Sequence, residues 1–321
     1  MLNLRLLDLT ALVRLNEKAV IRIMRRSKNL KEIRVSCIMN VGQTFFYCLR
    51  EMKKVDSFSL NSPKILNSGD LKIAEDLSYE FAKHISFYKL KALSVYSLNN
   101  TITTSYSKNA EQANLLESLS FATVKDNDFD LLQDLCFFPN LKKLAICYNL
   151  RDAETEVGIE TIEEFNNHTL SEILIDICVE LDTIVIGGLL NNEGAKILAD
   201  SMKKYQKIKN IRLLNCLIYE DGLYKILEQG KQLERLDITG CLLCCTGEAF
   251  NLVNKNYNPS SGFKLPLTSS ENSIYGSGIL QNMKEIKMSV ISHERLSIKT
   301  LLLKIFGPEI KLTFDCVKLK H

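Results

Sequence analysis

The sequence is poor in proline and glycine, with 5 and 14 of them among 321 residues. This composition argues against a disordered or low-complexity chain. The sequence also lacks a run of the roughly 18 uncharged apolar residues that a membrane-spanning helix needs. The segment from Met1 to Lys18 is apolar, but Arg5, Asp8 and Arg14 interrupt it, so the long apolar stretch of a signal peptide is missing. We therefore expect mature structure at this end and no membrane span.

An excess of one charge sign is missing too, because 41 lysines and arginines face 38 aspartates and glutamates. No overall field therefore draws the protein to nucleic acid or to anionic lipid, and neither is an expected partner. Two local clusters are interpreted as solvated helix faces. The basic one comprises Arg22, Arg25, Arg26, Lys28 and Lys31, and the acidic one Glu154, Glu156, Glu160, Glu163 and Glu164.

The ten cysteines are too few for a disulfide framework in a chain of 321 residues. A reducing compartment, cytoplasm or nucleus, is the expected location. Glycosylation motifs at Asn99 and Asn167 keep the secreted alternative open.

Motifs that would carry chemistry are absent or incomplete. There is no GK[ST] sequence for a nucleotide, and Gly276–Gln281 starts like a dinucleotide-binding loop but lacks its third glycine. His293–Ser297 begins like a zinc-protease helix, with serine where the second ligand should stand. The thiols Cys241, Cys244 and Cys245 have no second cysteine pair at ligand spacing. We therefore expect no metal, no cofactor and no catalytic residue, and hence no enzyme.

An internal repeat decides the predicted fold. An apolar residue, two variable residues, an apolar residue, one variable and one more apolar residue recur along the chain, mostly every 25 to 27 residues. We call the middle apolar residue of each copy the marker residue. The marker residues are Leu7, Ile33, Phe58, Leu93, Leu119, Leu144, Ile173, Ile184, Ile211, Leu236, Ile286 and Ile310.

Each repeat is predicted to be one strand followed by one helix. The alternation around the markers has the period of a strand. Between markers the period becomes helical, as for Ala195, Leu198, Ala199 and Met202, and Asp221 is the predicted N-cap of the next helix. Stacked units would bury their apolar faces together. The predicted fold is an α/β solenoid, with parallel strands on a concave face and helices on a convex face.

The residues resemble the leucine-rich repeat family, most closely its ribonuclease-inhibitor-like and cysteine-containing types. Leu181 to Cys216 carries the N-x-E-G-A-x-x-L-A helix start, and LERLDITGC, from Leu233 to Cys241, resembles the family's strand. The resemblance implies that an Asn or Cys after each strand bonds backbone groups of the adjoining turn. That position holds Asn149, Cys178, Cys216 and Cys241.

The repeat is most regular from about residue 115 to 245, within a single predicted domain of residues 1–321. The step from Phe58 to Leu93 is 35 residues, and that from Leu236 to Ile286 is 50. Residues 254–278, rich in Asn, Ser, Gly and Pro, are predicted to be an irregular insertion. Ile173 and Ile184 are only 11 apart, so one of the segments 170–176 and 181–187 should lie outside the regular sheet.

Function is predicted on the solvent-facing strand positions, because the leucines of the repeat point into the core. Mixed charge presented on a rigid sheet suits a protein partner better than a phosphate backbone. We therefore expect a monomeric, non-enzymatic scaffold for protein binding. The candidate residues are Arg34, Ser57, Ser59, Asn61, Tyr96, Lys143, Glu172, Asp176, Asn210, Arg212, Arg235, Asp237, Glu285 and Lys287.

Two alternatives follow from the family resemblance. The helix start from Asn191 to Ala199 is similar to that of the Ran GTPase-activating proteins, although no catalytic residue carries over by position. The cysteine-containing repeats are similar to those of F-box subunits, which recognise substrates for ubiquitin ligases. The first 30 residues lack the L-P-x-E motif of an F-box, which counts against that alternative.

Overall fold

A computed structural model describes most of the chain, in two compact units. The described residues are 3–12, 16–36, 39, 41–60, 68–84, 88–95, 102, 106, 108–123, 135, 138–148, 180–188, 190–204, 207–241, 249–250, 280–291 and 295–317. Unit 1 comprises Met1–Glu156 with Asp176–Leu181, and unit 2 comprises Val157–Ile175 with Asp182–His321.

Most of the described strands in both units are followed by a helix, as the repeat predicts. The elements of unit 1 are β1 (Leu6–Leu9), α1 (Glu17–Arg26), β2 (Glu32–Val35), α2 (Gln43–Glu51), β3 (Ser57–Leu60), α3 (Ser68–His84), β4 (Ala92–Val95), α4 (Ala110–Ala113), β5 (Ser118–Thr123) and β6 (Lys143–Tyr148). Those of unit 2 are β7 (Thr183–Gly187), α5 (Asn192–Lys204), β8 (Asn210–Leu214), α6 (Glu220–Gln229), β9 (Arg235–Ile238), β10 (Glu285–Ile291), α7 (Arg295–Phe306) and β11 (Lys311–Val317). None of the helices so described is long and apolar enough to cross a membrane.

Parallel strands pair in chain order within each unit, and the predicted register is confirmed for nearly all of them. In unit 1 the marker residues Leu7, Ile33, Phe58, Leu93, Leu119 and Leu144 each face the next. In unit 2 Ile184, Ile211, Leu236 and Ile286 do the same. All are buried, and alternate residues of the strands of unit 1 are more exposed. The alternation of apolar residues therefore sets the alignment of the sheet.

One backbone carbonyl per repeat fixes where the next strand begins. The carbonyl of Arg5 accepts hydrogen bonds from Lys31 N and Glu32 N, at 2.8 and 3.0 Å. In unit 2 the carbonyl of Lys209 accepts from Glu234 N and Arg235 N, at 2.7 and 3.1 Å. The same pair of bonds recurs at the carbonyls of Lys31, Asp56, Lys91, Glu117, Asp182 and Glu234. We call this series the carbonyl ladder.

Two helix starts are capped by a side chain of the preceding repeat. The N-cap residue of α2 is Gly42, which has no side chain with which to cap the helix. The carboxylate of Glu17 in α1 caps it instead, accepting from Gly42 N and Phe45 N, each at 3.0 Å. In unit 2 the N-cap of α6 is Tyr219, and Asn192 of α5 accepts from its backbone N–H at 3.1 Å. The prediction of Asp221 as that N-cap is wrong. Asp221 lies in the first turn, where its carboxylate suits the positive end of the helix and accepts from Asn192 Nδ2.

The core of unit 1 is built from aromatic rings that join helices to strands. The ring of Phe58 in β3 stacks on that of Phe81 in α3, with centroids 4.8 Å apart. Phe81 also stacks on Tyr88 at 5.6 Å and lies near Phe46 of α2 at 6.1 Å. The helices therefore pack on the sheet face that carries the marker residues.

The irregular spacings have different outcomes. Phe58 pairs directly with Leu93 across the 35-residue step, and Leu236 pairs directly with Ile286 across the 50-residue step. Ile184 belongs to the regular strand β7, whereas the segment 170–176 and the predicted insertion 254–278 lie outside the described residues.

The marker predicted for the last strand is wrong by two residues. Ile286 pairs with Leu312 and not with Ile310. Ile310, Leu312 and Phe314 alternate without a break, and a slip of two residues keeps the same side chains on the core face. The apolar pattern alone therefore allows either register at this strand.

Candidate protein-interaction surface

The strands of unit 2 present two rows of side chains on the face opposite the marker residues. Register places Asn210, Arg235, Glu285 and Lys311 side by side in the first row. The second row contains Val185, Arg212, Asp237, Lys287 and Thr313. We call these two rows the strand surface of unit 2. The structure thus brings together all six candidate residues predicted for β8, β9 and β10.

Opposite charges meet across neighbouring strands of this surface. Glu285 lies 3.8 Å from Arg235 Nε and 2.6 Å from Lys311 Nζ, so one carboxylate joins three strands. Lys287 Nζ lies 3.9 Å from Asp315 of β11. The cations stay accessible, because the side chain of Arg235 is 65% exposed and that of Lys311 is 70% exposed. Exposed pairs of this kind contribute only about 0 to 1 kcal/mol of stability, which leaves their charges available to a partner.

Asp237 departs from the prediction, which treats it as an exposed contact residue. Only 12% of its side chain is exposed, and each oxygen has a partner within the protein. Oδ1 accepts from Thr239 N at 3.1 Å and from Thr239 Oγ1 at 2.6 Å, while Oδ2 accepts from Arg212 Nε at 3.1 Å. Asp237 therefore holds the turn after β9 and orients Arg212, whose own side chain is 49% exposed.

The corresponding face of unit 1 is lined with serine. Ser59, Ser94 and Ser120 form one row, and Ser57 and Ser118 belong to the other. All five are half-buried. Charge lies at the ends of the rows. Arg34 bonds Glu32 at 2.7 Å and approaches Asp8 at 3.5 Å, and Lys143 is exposed in β6.

Some predicted site residues cannot be placed, and two neighbours are new. Asn61, Tyr96, Glu172 and Asp176 lie outside the described residues. The sequence did not predict Lys311, which lies in the first row of the strand surface, or Asp315, which lies beside that surface and next to Lys287. The signal for Lys311 was the alternation around Leu312, which becomes readable only when the last strand has its correct register.

Two cysteines close the turns after strands of unit 2, at positions that the family resemblance predicts, and the thiol of each contacts a strand carbonyl of the preceding repeat. The thiol of Cys216 lies 3.6 Å from the carbonyl of Ile186, and that of Cys241 lies 3.1 Å from the carbonyl of Leu213. Both side chains are buried and neither forms a disulfide. A hydrogen bond with Cys241, and then burial, raise the pKa of the Cys216 thiol. Asn149, Cys178, Cys244 and Cys245 lie outside the described residues.

These two thiols are expected to resist alkylation in the folded protein. At neutral pH, Cys216 and Cys241 should react with N-ethylmaleimide at least about tenfold more slowly than in guanidinium chloride, because burial shields both thiols from the reagent and the raised pKa of Cys216 also limits its thiolate. Mass spectrometry of the labelled peptides measures both rates. Equal labelling of Cys241 with and without denaturant would contradict the turn-closing role.

The described part of the chain contains no group of three or more His, Cys, Asp or Glu side chains able to hold a metal ion. The thiols of Cys216 and Cys241 are engaged with backbone carbonyls. What the strand surface offers chemically is hydrogen bonds and charge of both signs.

Comparisons with known proteins bear on the fold. No model of a known protein family matches the chain. No curated protein sequence matches it either. A solved structure does: a chain in the crystal structure of the Rad7 and Elc1 complex in yeast superimposes with a TM-score of 0.55, covering 97% of this chain and 81% of that one. The fold is a leucine-rich repeat solenoid. The sequence identity is 15%, so this likeness shows the fold and does not distinguish the ribonuclease-inhibitor-like type from others.

Proposed function

We propose that the protein is a non-enzymatic scaffold that binds a protein partner through the strand surface of unit 2. The observation that carries the proposal is the row of Arg235, Glu285 and Lys311, in which exposed cations flank a shared carboxylate on three adjacent strands. Paired strands fix the backbone of these residues, so this surface loses less conformational freedom on binding than a flexible loop would.

Alternating charge favours a protein as the partner. A surface that binds a phosphate backbone needs Lys and Arg and no carboxylates. Here Glu285 lies among the cations of the strand surface, and Asp315 lies next to Lys287. A partner with acidic and basic side chains in complementary positions would satisfy both signs and would fix its own orientation. We include in the proposal that the protein acts as a monomer in the cytoplasm or nucleus, without nucleic acid, membrane or cofactor.

A second candidate is substrate recognition within a ubiquitin ligase, the F-box-type role that the family resemblance implies. The solved neighbour is a complex of two proteins, Rad7 and Elc1, which favours assembly with a second protein. Affinity capture from lysate followed by mass spectrometry separates the possibilities. Recovery of Skp1 and a cullin supports this candidate, and recovery of a small GTPase supports the Ran-type alternative. Recovery of neither supports a scaffold outside both pathways.

The strand surface is tested by removing two of its cations without touching its buried carboxylate. The double variant Arg235→Ala with Lys287→Ala should weaken binding of the captured partner by about tenfold or more, because both charges lie in the predicted contact. Asp237 is left in place because its two bonds to Thr239 stabilise the turn after β9. Titration calorimetry at fixed salt measures the affinity.

The matched control removes two exposed lysines from helices of the same unit. Lys203→Ala with Lys299→Ala changes the net charge by the same amount and leaves the strands intact. Binding by this control should equal that of the unmodified protein. Loss of binding in the helix variant, with full binding by the strand variant, would place the contact elsewhere.

A further inference from the structure

Positive charge is concentrated at one edge of unit 1, where the first three helices give way to the next strands. The segments 25–31, 50–56 and 83–91 contain ten lysines and arginines and two carboxylates, Glu51 and Asp56. The whole chain has a net charge of only +3, so the remainder is net acidic. The carbonyl ladder brings these segments together, because Lys31 O accepts from Asp56 N and Asp56 O accepts from Lys91 N.

Two adjacent depressions lie along this edge, and they share Met52 and Lys53. The first, of about 430 Å³, lies over Met24, Leu30 and Cys48. The second, of about 410 Å³, lies over Leu49, Val55 and Leu90. We call the two together the basic groove. Arg25, Lys28 and Lys54 border the first depression together with one carboxylate, Glu51, and Arg50, Lys53 and Lys89 border the second.

Compensation of helix ends accounts for only some of these cations. Arg25, Arg26, Arg50 and Lys83 lie in the last turns of α1, α2 and α3, where a positive charge stabilises the helix. That effect falls off beyond the last turn, and Lys28, Lys53 and Lys89 lie in the loops. Among the residues that the structure describes, no carboxylate forms an ion pair with Lys28 or Lys53, and Lys89 has only a long, solvent-exposed contact of 3.7 Å with Glu111. By contrast, Lys209 and Lys284 at the equivalent edge of unit 2 both meet Glu234.

The basic groove has an apolar floor and a mainly cationic rim, and this combination indicates what kind of ligand it can bind. We propose that the basic groove binds an acidic peptide segment of a partner protein, with apolar side chains seated in the two depressions and carboxylates paired with the rim lysines. This surface is separate from the strand surface of unit 2 and does not depend on it. The two depressions are at the small end of the size range of ligand pockets, which suits single side chains.

The groove fits other anions less well. Single-stranded nucleic acid would need aromatic faces on which to stack its bases. The aromatic residue of the groove, Tyr88, is buried and its hydroxyl donates to the carbonyl of Phe46. A lipid surface would call for exposed apolar side chains beside the cations. Among the described residues, none of the large exposed apolar side chains lies in the segments 25–31, 50–56 and 83–91.

The probe is a fluorescent 12-residue peptide in which each leucine is followed by two glutamates, titrated with the full chain and followed by anisotropy. Binding should be saturable and should weaken as salt rises. A peptide with glutamine in place of glutamate should bind at least about tenfold more weakly. Hydrogen exchange should slow in residues 43–55. A labelled oligothymidylate and vesicles containing phosphatidylserine are run beside it, and tighter binding to either would overturn the proposal.

The variant Lys28→Gln, Lys53→Gln and Lys89→Gln should lower affinity for the acidic peptide by about tenfold, since Lys28 borders the first depression, Lys89 the second and Lys53 both. The control Lys18→Gln, Lys72→Gln and Lys108→Gln removes three exposed charges elsewhere in unit 1 and should bind like the unmodified protein. No binding by the unmodified protein, or equal loss in both variants, would refute the groove. The strand variant Arg235→Ala with Lys287→Ala should retain the peptide, so failure here is distinct from failure of the strand surface.

Discussion

Replacing Leu213 by aspartate is expected to destabilise the protein by about 3 to 5 kcal/mol, the range found when a buried charge lacks its partner. Leu213 is fully buried in β8, where it faces Ile186 of β7. Its carbonyl accepts the thiol of Cys241, so movement of the strand to relieve the carboxylate would also disturb the turn after β9. Urea unfolding followed by circular dichroism measures the loss.

The control places the same charge on the other face of the same strand. Asn210→Asp lies beside Arg235 in the strand surface and loses the hydrogen bond from Asn210 Nδ2 to Thr183 Oγ1, so it should change the free energy of unfolding by no more than about 1.5 kcal/mol. An unfolding midpoint for Leu213→Asp equal to that of the unmodified protein would show that the register of β8 is wrong.

Replacing Phe81 by alanine is expected to cost about 3 to 5 kcal/mol in unit 1, because a large fully buried ring would leave a cavity. The ring of Phe81 contacts those of Phe46, Phe58 and Tyr88, so three neighbours lose a partner at once. Differential scanning calorimetry, with hydrogen exchange over residues 43–60, measures the effect.

An exposed ring on the same helix provides the comparison. Tyr79 is 50% exposed, and its ring lies under Lys83 Nζ at 4.6 Å. Its replacement by alanine should cost no more than about 1 kcal/mol, the scale of an exposed cation–π contact. Equal destabilisation by the two variants would mean that the aromatic core is not where unit 1 derives its stability.

The alignment of the sheet was readable from the sequence because it depends on a single physical rule. Side chains alternate across a strand, and each buried marker must meet the buried marker of the next repeat. The positions of Leu7, Ile33 and Phe58 in the sequence therefore predict which residues pair across the sheet. The rule is silent where several alternating residues in a row are apolar, which is why Ile310 was placed in the position that Leu312 holds.

Side-chain contacts between repeats were not readable in this way. Asp237 occupies a solvent-facing position of the pattern, but its carboxylate is buried and hydrogen-bonded to Thr239 and Arg212. Glu17 accepts from the N–H of Gly42, the N-cap residue of α2, which lies 25 residues later, and the sequence near α2 contains no capping motif that predicts this contact. Such contacts depend on which side chains of neighbouring repeats come close together when the repeats stack. The spacing of residues along the chain does not show which side chains these are.

The carbonyl ladder makes the protein insensitive to the length of chain between one strand and the next. Strand pairing resumes at the same backbone position whether the step is 25 residues, as from Ile211 to Leu236, or 50, as from Leu236 to Ile286. Doubling the length of a flexible connection costs only about 0.6 kcal/mol in closure entropy. Evolution can therefore lengthen a connection, and add a new recognition element within it, while the neighbouring strands keep their alignment. A single residue gained inside a strand has no such freedom, because every side chain after it would exchange core for solvent.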